Sequence, residues 1–90
     1  MKPKVSVIIP VYNVEKFLQS CINSLLKQTL REIEFIFVND ASPDNSMEIL
    51  KYNQKKFPDK ITIIDSKENL CQGGARNLGI KVAKGDYIGF

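Results

Sequence analysis

An unbroken run of bulky and β-branched residues, Phe35-Ile36-Phe37-Val38, ends abruptly in the polar pair Asn39-Asp40. Continuous apolar runs of this kind are typical of strands that are buried on both faces of a parallel sheet. The pattern therefore predicts that the Asp40 carboxylate lies at the carboxyl end of a buried strand, which is the edge where ligands bind in open α/β sheets. Ser42-Pro43-Asp44 follows with the signals of a helix start: a capping side chain, a proline and an acid.

Strand and helix patterns alternate along the whole chain. Because such an alternation argues for a parallel sheet covered by helices, the predicted fold class is α/β, a three-layer Rossmann-like parallel sheet with helices on both faces. The sequence stops after a fourth strand, which predicts an uncovered apolar side of the sheet. The expected strands are 5–9, 33–38, 61–64 and 87–90, and the expected helices are about 14–26, 44–56 and 73–84.

Local signals predict the ends and the buried faces of these elements. Pro10 is expected to end the first strand because proline cannot donate to the sheet ladder, and Asn13 is expected to cap the first helix. Gly73-Gly74 should open the third helix, and Gly85 should close it in the left-handed conformation. The side chains expected to face the sheet from the first two helices are Phe17, Leu18, Cys21, Ile22, Leu25, Leu26, Met47, Ile49, Leu50 and Phe57.

Composition excludes several classes of function. The 90 residues allow one domain. The net charge of +3 is spread over scattered lysines, with Lys55-Lys56 the only adjacent pair, so no nucleic-acid interface is predicted. The absence of histidine rules out a cysteine–histidine or serine–histidine catalytic pair within these residues and disfavours a zinc site. Cys21 and Cys71 suit a reducing compartment better than a disulfide scaffold.

Three loops should converge on the carboxyl edge of the predicted sheet: residues 10–13, 39–40 and 69–77. This is the usual geometry of a nucleotide-binding crevice. Asp40 could accept hydrogen bonds from a base or a ribose, Tyr12 could stack on the base, and Arg76 at a helix start could hold a phosphate. Each also has a structural interpretation: a helix cap for Asp40 or Asp44, a loop-packing ring for Tyr12 and an exposed helical side chain for Arg76.

Two well-known nucleotide-binding motifs are absent. The Gly-x-Gly-x-x-Gly fingerprint requires glycines after the first strand, and residues 10–15 contain none. No Gly-x-x-x-x-Gly-Lys-Ser/Thr loop occurs either. A nicotinamide or flavin Rossmann domain is therefore disfavoured, and so is a nucleotidyltransferase with a glycine-rich loop after its first strand.

Four segments in order resemble the successive motifs of the family 2 glycosyltransferases with the GT-A fold. They are VSVIIPVYNVE at 5–15, FVNDASPDNS at 37–46, NLCQGGARNLGI at 69–80 and GDYI at 85–88. The resemblance covers essentially the whole chain, and its specificity comes from the order and spacing of the four motifs. One departure is Asn39, where the family usually has a first acid before the one that matches Asp40.

The resemblance implies that residues 1–90 are the incomplete N-terminal nucleotide-sugar-binding part of a GT-A domain. The parent would be an inverting glycosyltransferase that transfers a sugar, from a UDP-sugar, to an acceptor hydroxyl in polysaccharide or glycoconjugate synthesis. Tyr12 would lie against the base, Asp40 would bond to it, and Arg76 would lie near the ribose or phosphates. The donor-binding residues implied in this way are Pro10, Tyr12, Asn13, Glu15, Asp40 and Arg76.

In the family, the fourth strand runs into an Asp-x-Asp motif that holds a divalent metal, Mn or Mg, and a catalytic base follows later. The sequence ends at Phe90, where that motif would begin, so we assign no catalytic residue and no metal ligand within it. We expect a truncated segment that is inactive alone. Its parent would use a saccharide or lipid-linked acceptor and would work in the cytoplasm, at the inner membrane face.

The alternative from a different class is a stand-alone nucleotide-binding or dimerising module. The apolar Tyr87, Ile88 and Phe90 at the open end of the sheet motivate it. Both hypotheses predict a homo-oligomer through the uncovered side of the sheet.

Overall fold

The computed structural model describes residues 5–27, 32–66, 71–85 and 87–89. Within these ranges, four parallel strands form one sheet in the order β3-β2-β1-β4, and three helices connect them. No helix in the described parts of the chain is both long and apolar enough to cross a bilayer. The elements are β1 (Val5–Val11), α1 (Glu15–Leu26), β2 (Ile33–Asp40), α2 (Ser46–Lys56), β3 (Ile61–Ser66), α3 (Cys71–Val82) and β4 (Tyr87–Gly89).

Helices cover both faces of the sheet, as predicted. All of β2 is buried, and its side chains alternate between two cores because successive residues of a strand point to opposite faces. Ile33, Phe35 and Phe37 pack with α1 and α2, whereas Ile36 and Val38 pack with α3. The larger core contains Val11, Leu18, Ile22, Ile33, Phe35, Phe37, Leu50 and Ile61; the smaller contains Ile8, Ile36, Val38 and Ala75.

The strand order explains why α3 lies on the face opposite α1 and α2. The chain moves outward from β1 through β2 to β3, and it then crosses back over the sheet to place β4 on the other side of β1. Since crossovers between parallel strands keep one hand, reversing the direction of travel moves the connecting helix to the other face. The carboxyl end of β1 is therefore a topological switch point, where open α/β sheets bind ligands.

The first three strands, β1, β2 and β3, each extend two residues further than their sequence patterns predicted. Pro10 was expected to end β1, but the strand continues to Val11. The Val5 N–H donates to the Glu32 carbonyl at 3.0 Å, so alternate N–H groups point towards β2 and the position of Pro10 points away from it. In the part of the chain that the structure describes, β4 pairs only with Val5–Val7. The missing N–H of Pro10 therefore removes no hydrogen bond between the described strands.

The outer side of α1 carries two apolar residues that were expected to be buried. Phe17 is 72% exposed and Cys21 is also exposed. Leu18 and Ile22 face the core instead, and the residues one position before them lie about 100° further round the helix. Phe57, which follows the last residue of α2, was also expected to face the sheet and is 40% exposed.

Two glycines allow α3 and its exit turn to approach β1 closely. A Cβ on Gly79 would lie 2.9 Å from Ile8 Cγ1, and one on Gly85 would lie 2.7 Å from the Ser6 nitrogen. The left-handed conformation predicted for Gly85 is wrong, since no described glycine has a positive φ. The start predicted for α3 is also wrong: the helix begins at Cys71, ahead of Gly73-Gly74.

Replacing Gly79 with alanine should lower the free energy of unfolding by about 1–2 kcal/mol net. Overpacking against Ile8 outweighs the gain in helix propensity. Urea denaturation followed by circular dichroism measures the loss. Gly89→Ala is the matched control, because among the described residues its Cβ would meet only Val7 Cγ2, at 3.8 Å. Equal losses in the two variants would contradict the close-approach explanation.

A buried carboxylate ties the end of α3 to the beginning of the sheet. Glu34 is 7% exposed, and its Oε2 accepts hydrogen bonds from Ser6 Oγ at 2.6 Å and from the Lys84 N–H at 2.8 Å. Ser6 Oγ in turn accepts from the Gly85 N–H at 2.8 Å. These bonds satisfy two backbone donors where α3 ends, and they fix the entry of the chain into β4.

Glu34→Ala should destabilise the fold by about 2–3 kcal/mol, because it leaves the buried Ser6 hydroxyl and the partly buried Lys84 N–H without their acceptor. Glu34→Gln keeps an acceptor oxygen and should lose less. Glu32→Ala, at an exposed position two residues earlier, should change stability by under about 0.5 kcal/mol. Equal unfolding midpoints for Glu34→Ala and Glu32→Ala would refute the role assigned to Glu34.

Candidate functional site

The carboxyl ends of β1, β2 and β3 meet at one edge of the sheet. Val11 pairs with Asn39, and Asp40 pairs with Ser66. Asp40 is 3% exposed, whereas Tyr12, which follows β1 directly, is 46% exposed. A buried carboxylate and an accessible aromatic ring therefore lie at neighbouring strand ends, Tyr12 at the switch point and Asp40 one strand away from it. Pro10, half-buried within β1, precedes them.

The chain leaves β1 and β2 through one residue each in the left-handed conformation. Asn13 has φ 54° and Ala41 has φ 56°. Asparagine tolerates this conformation, but for alanine it costs roughly 1–2 kcal/mol. The Ala41 N–H donates to the Ser66 carbonyl at 2.9 Å, which anchors the second turn on β3. Asn13 is therefore a turn residue and not the predicted cap; Val14 occupies the cap position and makes no side-chain capping bond.

The starts of α1 and α2 cap each other. The Glu15 N–H donates to Asp44 Oδ2 at 3.0 Å, and the Asn45 N–H donates to Glu15 Oε1 at 3.0 Å. Asp44 Oδ1 also accepts from Ser42 Oγ at 2.5 Å and from the Ser46 N–H at 3.1 Å. Asp44 thus caps the starts of both helices, whereas the Glu15 side chain serves only the start of α2. Helix α2 begins at Ser46, two residues later than predicted, and Asn45 at its cap position makes no side-chain capping bond.

These hydrogen bonds keep Asp44 ionised. Burial raises the pKa of its carboxyl group, but the hydrogen bonds from the Ser42 hydroxyl, the contact with Ser46 and the backbone N–H groups of Glu15 and Ser46 outweigh burial, so the pKa lies well below its usual range. A carboxylate with a lowered pKa stabilises the fold above the pKa that it has in the unfolded chain.

Sequence reasoning missed a polar pair beside Asp40. Asn39 Nδ2 donates to Asp65 Oδ1 at 3.3 Å, while Asn39 Oδ1 is buried with no hydrogen-bond partner among the described residues. The third strand was predicted at 61–64, so Asp65 was expected to follow it, but Asp65 belongs to β3 and pairs with Asn39 in register. The continuation of polar residues beyond both apolar runs was the available signal. Asn39 therefore faces the acidic side chain of Asp65 on the neighbouring strand. An acid in place of Asn39 would bring two negative charges together.

Arg76 is exposed and is the sixth residue of α3, not a residue at its start. At 1.5 Å per residue it lies roughly 7–8 Å along the helix from Cys71. Its neighbour Ala75 is buried in the smaller core. Residues 69 and 70, which also belong to the predicted phosphate loop, lie outside the described residues.

The described parts of the chain hold no group of three or more histidine, cysteine, aspartate or glutamate side chains that could bind a metal ion. A shallow cleft lies outside the two cross-capped helix starts and is lined by Asn13, Glu15, Lys16, Phe17 and Asp44.

Comparison with known proteins gives the family. Residues 6–90 match the model for glycosyl transferase family 2. The chain belongs to this family. An uncharacterised glycosyltransferase of Bacillus subtilis, EpsJ, is 51% identical over 90 residues, which are 100% of this chain and 26% of that protein. A poly(ribitol-phosphate) beta-glucosyltransferase of Bacillus spizizenii is 40% identical over 89 residues, which are 97% of this chain and 14% of that protein.

Solved structures confirm the GT-A fold of the family 2 chain. S. aureus TarS 1–349 in complex with UDP has a TM-score of 0.85 at 33% identity, over 94% of this chain and 25% of that one. A Pyrobaculum calidifontis mannosyltransferase in complex with GDP-Man and Mn²⁺ has a TM-score of 0.88 at 23% identity, over 98% of this chain and 26% of that one. The chain thus spans about a quarter or less of the length of each of these four proteins.

Asp44→Ala should lower stability at neutral pH by about 1 kcal/mol, the usual effect of losing a helix cap. The difference from the unsubstituted chain should shrink as the pH falls below about 4, where an unfolded aspartate takes up its proton while the folded one resists protonation. Urea midpoints between pH 2 and pH 7 test this dependence. A difference that stays constant over the whole range would rule out an ionised cap.

Proposed function

We propose that this chain is the donor-binding part of an inverting glycosyltransferase and that it binds the nucleotide of a UDP-sugar. The observation that carries the proposal is the buried Asp40 carboxylate at the end of β2, next to the accessible Tyr12 at the end of β1. Open α/β sheets bind nucleotides at such a switch point. Among solved relatives above 30% identity, S. aureus TarS was crystallised with UDP and with UDP-GlcNAc.

The chemistry of Asp40 suits a base with an imide N–H. An ionised carboxylate only accepts hydrogen bonds, and a bond to a buried carboxylate is stronger than one in water because the local dielectric constant is low. Uracil presents an N–H between two carbonyl groups and so matches one carboxylate. Tyr12, at 46% exposure, offers a ring on which the flat base can stack.

The third residue of the proposed site, Arg76, would serve the ribose or the diphosphate. It lies on α3, whose amino end follows the carboxyl end of β3 and so faces the same edge of the sheet. The guanidinium supplies a planar set of donors suited to phosphate oxygens. Pro10 and Asn13 complete the proposed set through their places in the first motif, and Glu15 follows them in the same motif.

We assign the remaining steps to a longer protein, in keeping with the lengths of the relatives. There an acceptor hydroxyl would attack the anomeric carbon with inversion as the bond to the diphosphate breaks, and UDP would leave. A bound divalent cation would neutralise the charge of that leaving group. The acceptor would be a saccharide or lipid-linked glycan at the cytoplasmic membrane face. Self-association through the β4 side of the sheet stays a prediction, because the structure does not describe the side chains of residues 86–88.

Titrating the chain with UDP should shift backbone amide NMR signals around Tyr12, Asp40 and Arg76, and GDP should shift them less. Tyr12→Ala, Asp40→Ala and Arg76→Ala should each weaken UDP binding about tenfold or more, since each removes one stacking or charged contact. The matched controls are Tyr52→Ala, Asp59→Ala and Lys81→Ala, all at exposed positions; these should bind UDP with unchanged affinity.

A folded chain whose amide spectrum does not respond to UDP would refute the proposed donor site and favour the dimerising module. Light scattering on the same sample distinguishes that outcome, because a module of this kind must form dimers.

A further inference from the structure

The two loops that carry Tyr12 and Asp40 are bonded to each other, not only to their own strands. Three hydrogen bonds join them: Asn13 N–H to Ser42 Oγ at 2.8 Å, Glu15 N–H to Asp44 Oδ2 at 3.0 Å and Asn45 N–H to Glu15 Oε1 at 3.0 Å. The partners lie 29 or 30 residues apart in sequence. Neither loop can therefore move away from the other without breaking the whole set.

We propose that Glu15, Ser42 and Asp44 are positioning residues, which hold the Tyr12 loop and the Asp40 loop at a fixed separation so that a nucleoside base enters a preformed gap. The inference rests on the proposed function, because it assigns these two loops to the base. It gives Glu15 an indirect role: its Oε1 is bonded to the Asn45 N–H, whereas the family resemblance implied that it belongs to the donor-binding set.

The bonds form a chain in which each polar group has a defined role. Ser42 Oγ accepts from the Asn13 N–H and donates to Asp44 Oδ1, so its hydroxyl orientation is fixed. Asp44 uses one carboxylate oxygen for α1 and the other for Ser42 and α2. A shared carboxylate of this kind couples the two helix starts, because displacing either one removes an acceptor from it.

Backbone strain at the same two loops supports a positioning role. Asn13 directly follows Tyr12 and Ala41 directly follows Asp40, and both are left-handed, with φ 54° and 56°. Non-glycine residues keep such conformations only where the surroundings determine them strongly, and such residues cluster at binding sites. The Asn13 N–H donates to Ser42 Oγ, and the Ala41 N–H donates to the Ser66 carbonyl, so a hydrogen bond holds each of the two residues in place.

A preformed gap changes affinity in a predictable way. The apparent dissociation constant equals the intrinsic one divided by the fraction of molecules with both loops in place. If loss of one link lowers that fraction to about one tenth, UDP binds about tenfold more weakly although no atom that contacts UDP has changed.

The test uses the 90-residue chain and pairs each deletion with a conservative variant. Glu15→Ala and Asp44→Ala should each raise the Kd for UDP about tenfold by calorimetry, and the double variant should be little worse than either, because the two residues act in one set. Glu15→Gln keeps an acceptor oxygen for the Asn45 N–H and should restore affinity to within about twofold. Glu48→Ala removes an exposed acid from the first turn of α2 and is the matched control.

Amide hydrogen exchange separates positioning from general stability. In Glu15→Ala, protection should fall at Asn45 and around Asn13, while the amides of β2 should exchange as slowly as before. Loosened loops with unchanged UDP affinity would overturn the inference, and so would a Glu15→Gln variant as weak as Glu15→Ala, which would instead indicate a direct charge contact. If the unsubstituted chain does not bind UDP, the proposed function fails, while the exchange data still show whether the cross-links hold the loops.

Discussion

Burial of β2 on both faces is the constraint on which the rest of the structure depends. Its eight residues are all buried, although three of them, Glu34, Asn39 and Asp40, are polar. The apolar residues between them supply the two cores that hold α1 and α2 on one side and α3 on the other. Polar groups are then tolerated only near the ends of the strand, where helix ends and loops bring hydrogen-bond partners.

The two ends of β2 have different roles. At the amino end, Glu34 accepts the hydrogen bonds that close the connection between α3 and β4. At the carboxyl end, Asp40 lies beside the switch point, and the loop after it is bonded to the loop after β1. A strand fixed in this way at one end can present a buried carboxylate at the other without losing its register.

The fold was predictable because its signals are local and repeated. Alternating strand and helix patterns gave the α/β class, the element order and the edge of the sheet where Asp40 lies, and the four motifs identified the family. The faces of α1 were not predictable from hydrophobicity alone: Phe17 and Cys21 are as apolar as their neighbours, and only the sheet selects Leu18 and Ile22. The bonds that link Asn13 and Glu15 to the loop after β2 were not predictable for another reason: they join residues about thirty positions apart, which no sequence window contains. The donor contacts of Tyr12, Asp40 and Arg76 stay predictions.

The central place of β1 in the sheet has a consequence for folding during synthesis. β1 is made first, yet it pairs with β2 and with β4, so Ser6 is partnered by Glu34 and by Ile88. Pairings between such distant residues form slowly, since the intervening chain must first be ordered. On a ribosome, the β4 side of β1 would stay open until nearly the whole of this sequence had emerged, and its unpaired N–H and C=O groups would be exposed to other strands during that time. Pro10 lies on this side of β1 and has no N–H, so the temporary edge carries one hydrogen-bond donor fewer.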